Sequence, residues 1–171
     1  KHGHNPAVCS LLVGKGSEVG DLISTDRRVA LVSYTGSVSG GRHVGKLVQE
    51  RFGKHILELG GNNATIVSEK GDLSIALKAV YFGALGTSGQ RCTTTRRAIV
   101  HESVYERFKD MLVKAYRETP IGDPREERNF MGPLVDPGAV ATMMKALEEV
   151  QRQGGRILCG GERLAGLGEC Y

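Results

Sequence analysis

The sequence predicts an α/β fold built mainly from parallel strands. Short β-branched runs alternate with longer segments in which apolar residues recur at helical spacing. Glycine supplies 24 of the 171 residues, about twice its usual share, which indicates tight turns and close backbone approaches. With five Tyr, four Phe and no Trp, the core must consist of aliphatic residues. Regular alternation of this kind is typical of βαβ units and a parallel sheet.

The first part of the chain is predicted to hold three strands and two helices. Each predicted strand is an apolar or β-branched run that ends at a turn residue: Ala7–Val13, Arg28–Tyr34 and His55–Leu59. Ser17 is expected to cap a short helix that continues through Thr25. Ser37 begins a second helix that reaches about Phe52, with Gly53 just beyond its end.

The alternation continues beyond residue 60. The predicted strands are Asn63–Ser68, Arg97–His101 and Arg156–Leu158. Asp72 is expected to cap one helix, and Ser103 to start another, which has Glu106 at the capping-box position and reaches about residue 117. A proline-containing loop over 119–137 precedes a last helix over 137–153.

Charge and hydropathy give no support to two classes of partner. The net charge is +4, and basic and aromatic residues do not interleave as a nucleic-acid groove requires. No apolar run approaches the ~18–20 residues of a membrane span, and the first six residues lack the apolar stretch of a signal peptide. We therefore expect neither a nucleic-acid partner nor a membrane partner.

The cysteines indicate reduced thiols in a cytosol-like compartment. Their positions follow no CxxC pattern and are widely spaced: Cys9, Cys92, Cys159 and Cys170. His2 and His4 could contribute to a metal site, but no third ligand is evident, so no metal is expected.

Three segments could carry chemistry. Gly36 and Ser37 lie where a strand turns into a helix, which suits a phosphate, although a turn that needs glycine only for its backbone angles is an equal interpretation. Glu58 ends a strand that looks buried, which suits a general base; a solvated carboxylate is the alternative. Cys92 follows a glycine-rich stretch and stands beside Arg91, which favours a thiolate.

The three segments, in this order, resemble the motifs of the aldehyde dehydrogenase superfamily. That family reads Phe-Thr-Gly-Ser, Glu-Leu-Gly-Gly and Gly-Gln-x-Cys, where this chain has 34–37 (Tyr-Thr-Gly-Ser), 58–61 (Glu-Leu-Gly-Gly) and 89–92 (Gly-Gln-Arg-Cys). The stretches 49–64 and 89–94 are similar to family 7 in particular, the antiquitin branch, whose members oxidise α-aminoadipic semialdehyde in lysine breakdown.

The resemblance implies a fold and a domain division. Residues 1–59 would be the C-terminal part of a Rossmann-like NAD-binding domain, and 60–171 the N-terminal part of the catalytic α/β domain, with Glu58 and Cys92 facing one another across the join. A complete member is about three times as long, which makes this chain a central fragment. The full-length protein would be a homotetramer located in the cytoplasm, with a mitochondrial location left open.

The resemblance also implies NAD as cofactor, a small aldehyde as substrate and a role for each site residue. Cys92 would be the nucleophile and Glu58 the base that hydrolyses the thioester. The remaining positions would bind pyrophosphate (Gly36 and Ser37), adenine (Gly20 and Asp21), the nicotinamide amide (the Leu59 backbone) and the amino-acid end of the substrate (Arg91 and Thr93).

Two alternatives remain open on the sequence alone. The chain could be an inactive fragment or an interaction module of the same ancestry. It could also be a non-hydrolytic, CoA-acylating relative, which Glu58 disfavours because a water-activating base is needed only for hydrolysis.

Overall fold

The computed structural model describes residue 3 and residues 5–171, so His2 and His4 lie outside the described residues. The chain divides into two units, residues 1–60 and residues 61–171. In each unit two parallel strands are connected by a helix. The α/β class predicted from the alternating pattern is confirmed.

The first unit contains one βαβ motif preceded by a short helical segment. A π-helical turn over Gly16–Gly20 leads into α1 (Asp21–Thr25). Strand β1 (Leu31–Gly36) is followed by α2 (Val38–Glu50) and β2 (Lys54–Leu59). The two strands run parallel along their whole length, with six residues of each in register.

Helix α2 lies close against β2 because the helix has glycine, which lacks a side chain, at the positions that face the strand. A Cβ atom on Gly41 would lie 2.3 Å from a terminal carbon of Leu59, whereas one on Gly45 would lie 3.4 Å from Leu57. Together with the buried core residues Val32, Val44 and Val48, the two leucines fill the space under α2. Alternation along the strand then turns Ile56 and Glu58 to the opposite, exposed face.

The second unit repeats the βαβ arrangement and adds two helices. Its elements are β3 (Asn63–Val67), α3 (Leu73–Leu85), β4 (Thr95–Val100), α4 (Glu102–Arg117) and α5 (Pro137–Arg152). Strands β3 and β4 pair in parallel, and the register shifts between Asn63 and Ala64. Phe108 of α4, only 1% exposed, packs against Val67, Leu73 and Val80 in the core.

Two predicted strands and two predicted helix starts are wrong. Residues 7–13 begin in a short 3-10 helix (Pro6–Val8) and continue without regular structure, with Leu11 and Val13 exposed. Residues 156–158 form no strand either. Neither run pairs with another strand within residues 5–171, and an apolar run becomes a strand only when a partner accepts its backbone hydrogen bonds. The helical segment that Ser17 was expected to cap begins at Gly16 instead, and its N-cap, Lys15, makes no side-chain cap hydrogen bond. Helix α4 begins at Glu102, and the side chain of His101 accepts the N–H of Ser103.

The helix cap predicted at Asp72 is confirmed, and Ser37, which was predicted to begin a helix, is the N-cap of α2. The Ser37 hydroxyl oxygen accepts the N–H of Gly40 at 3.0 Å. A carboxylate oxygen of Asp72 accepts the Ser74 hydroxyl at 2.7 Å and the N–H groups of Ser74 and Ile75 at 2.8 and 3.2 Å. These hydrogen bonds, the one from the Ser74 hydroxyl foremost, hold the pKa of Asp72 below its ordinary value. Both caps satisfy N–H groups that a helix cannot pair internally.

The segment between α3 and β4 has an unusual backbone. Three consecutive residues adopt positive φ: Thr87 at 52°, Ser88 at 54° and Gly89 at 68°. For residues other than glycine this left-handed conformation costs roughly 1–2 kcal/mol each, and it is rarest for β-branched side chains such as that of Thr87. The strained turn lies three residues before Cys92.

Within residues 3 and 5–171, every helix is too short or too polar to cross a lipid bilayer.

Replacing the capping carboxylate should change how stability depends on pH. Because the folded pKa of Asp72 is lowered, its contribution is complete above the unfolded pKa of ~3.9 and is lost as pH falls through the folded pKa. Asn caps helices about as well as Asp, so Asp72→Asn removes mainly the charge. We expect the thermal midpoints of the wild type and the variant to converge as the buffer is acidified from about pH 7 to about pH 3.

The matched control is Glu69→Gln, which removes an exposed carboxylate that makes no hydrogen bond within the described residues. Its midpoint should follow that of the wild type throughout. A constant offset between wild type and Asp72→Asn across the whole range would contradict the prediction.

Glycine at the strained turn should stabilise the second unit. Thr87→Gly removes the steric cost of the left-handed conformation, and we expect the free energy of unfolding in urea to rise by about 1 kcal/mol. Thr93, also exposed, lies outside the positive-φ region, so Thr93→Gly should instead lower stability by roughly 0.5–1 kcal/mol. Equal effects of the two substitutions would show that the turn is unstrained.

Candidate active site

Cys92 lies in the loop that joins the strained turn to β4, and it is exposed. The loop closes on itself on both sides of the cysteine. The N–H of Thr94 donates to the Arg91 carbonyl at 3.2 Å, and the N–H of Arg91 donates to the Thr94 hydroxyl at 3.0 Å. Thr94 is only 4% exposed. A buried threonine therefore anchors a turn that presents Cys92 at the surface.

A side chain from the neighbouring strand holds the same loop. The amide nitrogen of Asn63, at the start of β3, lies 2.6 Å from the Cys92 carbonyl oxygen and 3.0 Å from the Thr94 carbonyl oxygen. Asn63 is not among the site residues predicted from the sequence. The only signal for it was its position two residues after the Glu-Leu-Gly-Gly motif.

The backbone N–H of Cys92 remains available. It meets no acceptor within the described residues, although the neighbouring carbonyls of Arg91 and Cys92 both have donors. Thr93 is exposed, and its side-chain hydroxyl has no hydrogen-bond partner within the described residues. An exposed thiol with an unpaired N–H on the same residue can attack a carbonyl carbon and hold the resulting oxyanion.

Side chains just before Cys92 attach the loop to the segment after α4. The Ser88 hydroxyl donates to the Gly132 carbonyl at 2.9 Å, and the Gln90 side-chain oxygen accepts the N–H of Val135 at 3.2 Å. These hydrogen bonds hold the strained turn in place. Strained backbone conformations near functional sites persist only when the surrounding structure supports them in this way.

Arg91 packs against its own unit. Its guanidinium lies 5.2 Å from the centre of the Phe82 ring and donates to the Phe82 carbonyl at 3.2 Å, near the end of α3. The Nε atom is buried and has no partner within the described residues. The side chain that the sequence suggested for the substrate is therefore engaged in this structure with the helix that precedes the loop.

Glu58 lies at the end of β2, and the expectation that it terminates a buried strand is wrong. The carboxylate is exposed, because Leu57 and Leu59 take the face covered by α2 and leave Glu58 on the other face. The Leu59 side chain packs against Gly41, so the contact expected of Leu59 would have to be made by its backbone.

The turn between β1 and α2 has the features of an anion site. Ser37 caps the helix, and its hydroxyl oxygen lies 3.1 Å from that of Ser39. A Cβ on Gly36 would lie 2.4 Å from the Tyr34 hydroxyl oxygen, and one on Gly40 only 2.1 Å from it. Glycine at both positions thus lets a phenol hydroxyl lie directly over the start of α2, beside two serine hydroxyls and the unpaired N–H groups of the first helical turn.

A cavity of about 420 Å³ adjoins this turn. It is lined by Gly20, Asp21, Tyr34, Gly40 and His43, among others. One Asp21 carboxylate oxygen lies 2.8 Å from Nε2 of His43. The structure therefore brings the two positions expected to adjoin adenine, Gly20 and Asp21, to the same cavity as the start of α2.

Within residues 3 and 5–171, no three His, Cys, Asp or Glu side chains cluster as metal ligands would. Asp21 and His43 form a pair, and Glu58 and Cys92 belong to no such cluster of three.

Curated relatives match nearly the whole chain. The α-aminoadipic semialdehyde dehydrogenase of Mus musculus is 46% identical over 156 residues, which are 91% of this chain and 29% of that protein. An aldehyde dehydrogenase family 7 member A1 of Brassica napus is 42% identical over 165 residues, 96% of this chain and 33% of that protein. The chain thus spans about a third of the length of the curated relatives it matches.

Solved structures share the fold. Lactaldehyde dehydrogenase from Escherichia coli superposes with a TM-score of 0.89 at 32% identity, over 94% of this chain and 34% of that one. Betaine aldehyde dehydrogenase from Staphylococcus aureus, in complex with NAD+, gives 0.88 at 28% identity, over 92% of this chain and 32% of that one. The model of the aldehyde dehydrogenase family matches residues 1–171. The chain therefore belongs to the aldehyde dehydrogenase family.

Proposed function

We propose that the protein carrying this chain oxidises an aldehyde to a carboxylate with NAD as cofactor, and that the aldehyde is α-aminoadipic semialdehyde. One observation carries the proposal. The Cys92 thiol is exposed, the carbonyl groups of its loop accept hydrogen bonds, and the backbone N–H of Cys92 is unpaired within the described residues. The substrate is supported by the 46% identity to the mouse enzyme of that name.

Cys92 performs the covalent step. Its thiolate sulfur forms a bond to the aldehyde carbon, and the carbonyl π electrons move to the oxygen, which becomes an oxyanion. The unpaired N–H of Cys92 donates to that oxygen, and one such donor is worth ~10²–10³ in rate. NAD, when bound, supplies the acceptor for the hydride that leaves this carbon, and a thioester on Cys92 remains.

Glu58 performs the hydrolytic step. Its carboxylate takes a proton from a water molecule whose oxygen attacks the thioester carbon. The carbon–sulfur bond then breaks, the thiolate of Cys92 is regenerated, and the product leaves as a carboxylate. The exposed position of Glu58 allows water to reach it.

The hydroxyl donors and the cavity of about 420 Å³ in the first unit support the proposal that it binds the dinucleotide. The hydroxyls of Ser37, Ser39 and Tyr34, with the first N–H groups of α2, would hold the pyrophosphate beside Gly36. The cavity beside Gly20 would take the adenine, with the Asp21 carboxylate as an acceptor for its amino group. The backbone of Leu59 would contact the nicotinamide amide.

Thr93 and Arg91 would recognise the amino-acid end of the substrate. Thr93 is exposed next to the nucleophile and has a free hydroxyl within the described residues. For Arg91 the proposal requires that the guanidinium exchange the Phe82 carbonyl for the substrate carboxylate, a partner that it matches better in charge and geometry.

The same family relationship supports two proposals about the whole protein. We propose that it assembles as a homotetramer and acts in the cytoplasm, with an additional mitochondrial location left open. The domain division at residue 59 is likewise a proposal, with residues 1–59 serving the cofactor and residues 60–171 the covalent chemistry.

Two substitutions separate the catalytic roles in the protein that carries this chain. Cys92→Ala should abolish NADH formation from α-aminoadipic semialdehyde, because no covalent adduct can form. Glu58→Gln should slow turnover while a pre-steady-state burst of NADH persists, because only thioester hydrolysis needs the base. Cys9→Ala, which removes another exposed thiol, should leave turnover unchanged. Full activity of Cys92→Ala would overturn the proposed function.

A pair of glycine substitutions within α2 tests the cofactor site by binding alone. The Cβ of Gly40→Ala would displace the Tyr34 hydroxyl, so we expect the Kd for NAD measured by calorimetry to rise by ~10-fold or more, which corresponds to about 1.4 kcal/mol. Gly45→Ala meets only an ordinary contact at 3.4 Å, so it should preserve NAD affinity and stabilise α2 by roughly 0.5–1 kcal/mol. If the two variants bind NAD equally, this turn does not hold the cofactor.

A further inference from the structure

We infer that Asn63 is the positioning residue of Cys92, and that its side-chain amide fixes the direction in which the nucleophile and its N–H point. The inference rests on the proposed function, because it assigns a role within that reaction. Within the described residues, the Asn63 side chain forms hydrogen bonds with backbone carbonyls of the nucleophile loop and none with the thiol.

The chemistry of the Asn63 amide matches its surroundings. Its two neighbours, the carbonyl oxygens of Cys92 and Thr94 at 2.6 and 3.0 Å, can only accept hydrogen bonds. A primary amide nitrogen carries two hydrogens, and each can donate to one of these oxygens. A carboxylate in the same place would bring two more acceptors against them, and a serine hydroxyl could satisfy only one.

The two peptide groups that flank Cys92 are both fixed as a result. The peptide before it is held because the Arg91 carbonyl accepts the N–H of Thr94 at 3.2 Å. The peptide after it is held because the Cys92 carbonyl accepts from Asn63. When both peptide planes are fixed, the φ and ψ of Cys92 are fixed as well. Its Cα–Cβ bond and its N–H then have one direction.

The position of Asn63 is itself fixed by the sheet. The register shift between Asn63 and Ala64 means that Asn63 pairs with Thr95 and Ala64 with Arg97, a bulge of the kind that redirects side chains next to functional sites. The Arg97 guanidinium donates to the Asn62 carbonyl at 2.6 Å. A Cβ on Gly61 would lie 3.1 Å from the Cys92 carbonyl oxygen, so this backbone runs directly along the loop.

A fixed nucleophile affects the rate of bond formation more than the binding of substrate. Misplacing a reacting group by about 1 Å can cost ~10²-fold in rate. Loss of the Asn63 amide should therefore lower kcat with little change in KM. It should also change the reactivity of Cys92 toward a small alkylating reagent, which needs neither NAD nor the aldehyde.

The test compares Asn63→Asp with Asn62→Asp in the protein that carries this chain. Both substitutions replace an amide by a carboxylate, one residue apart, but the Asn62 side chain is exposed and makes no hydrogen bond within the described residues. We expect Asn63→Asp to lower kcat by ~10²-fold, to leave KM within about threefold, and to change the rate of Cys92 alkylation by iodoacetamide at least ~10-fold. Asn62→Asp should stay within about twofold of wild type on all three measures.

A milder variant protects the test against loss of the fold. Asn63→Ser keeps one donor and should fall between wild type and Asn63→Asp in both kcat and alkylation rate, at an unchanged thermal midpoint. If Asn63→Asp and Asn62→Asp alter alkylation equally, or if Asn63→Ser loses activity only in proportion to folded protein, Asn63 has a structural role alone and the inference fails.

The alkylation measurement separates this inference from the proposed function. If Cys92→Ala stays active, the function is wrong, yet the alkylation rates of the Asn63 variants still show whether the amide governs the loop. If Cys92→Ala is inactive and the Asn63 variants behave as wild type, the function stands and only the inference is overturned.

Discussion

Parallel pairing of β3 with β4 is the constraint on which the nucleophile loop depends. Asn63 and Cys92 are far apart in the chain, and α3 must cross over between the strands before they can meet. The start of one strand then lies beside the loop that leads into the other, and a single amide can reach two of that loop's carbonyls. Removing the pairing would leave the Cys92 peptide groups fixed on one side only.

The loop combines this external support with internal strain. Thr87 and Ser88 occupy the left-handed region, while Ser88 and Gln90 are hydrogen-bonded to the segment that precedes α5. Rigid attachments of this kind are what an unfavourable backbone conformation requires. The same attachments limit how far the nucleophile can move, which agrees with a site that must hold a reacting atom in one place.

In the first unit, glycine residues determine how closely neighbouring groups can pack. Gly41 allows Leu59 to pack beneath α2, and Gly36 with Gly40 allows the Tyr34 hydroxyl to lie over the start of that helix. The glycines therefore serve two purposes, close packing of the helix on its strand and room for polar groups at the helix N-terminus. The alternative that Gly36 is needed for its backbone angles is wrong, because Gly36 lies in β1 and does not adopt positive φ. Glycine is required there because a Cβ atom would meet the Tyr34 hydroxyl.

The sequence by itself determined the α/β class, the helix cap at Asp72 and the family, because periodicity, capping chemistry and spaced motifs are local properties. Its predictions of strands and of burial failed where the outcome depended on a distant partner. Residues 7–13 and 156–158 have strand composition without a strand to pair with, and Glu58 is exposed because α2 covers the other face of β2. Only the tertiary structure showed that Arg91 lies on Phe82 and that Asn63 holds Cys92, since both contacts depend on how helix and strand meet in space.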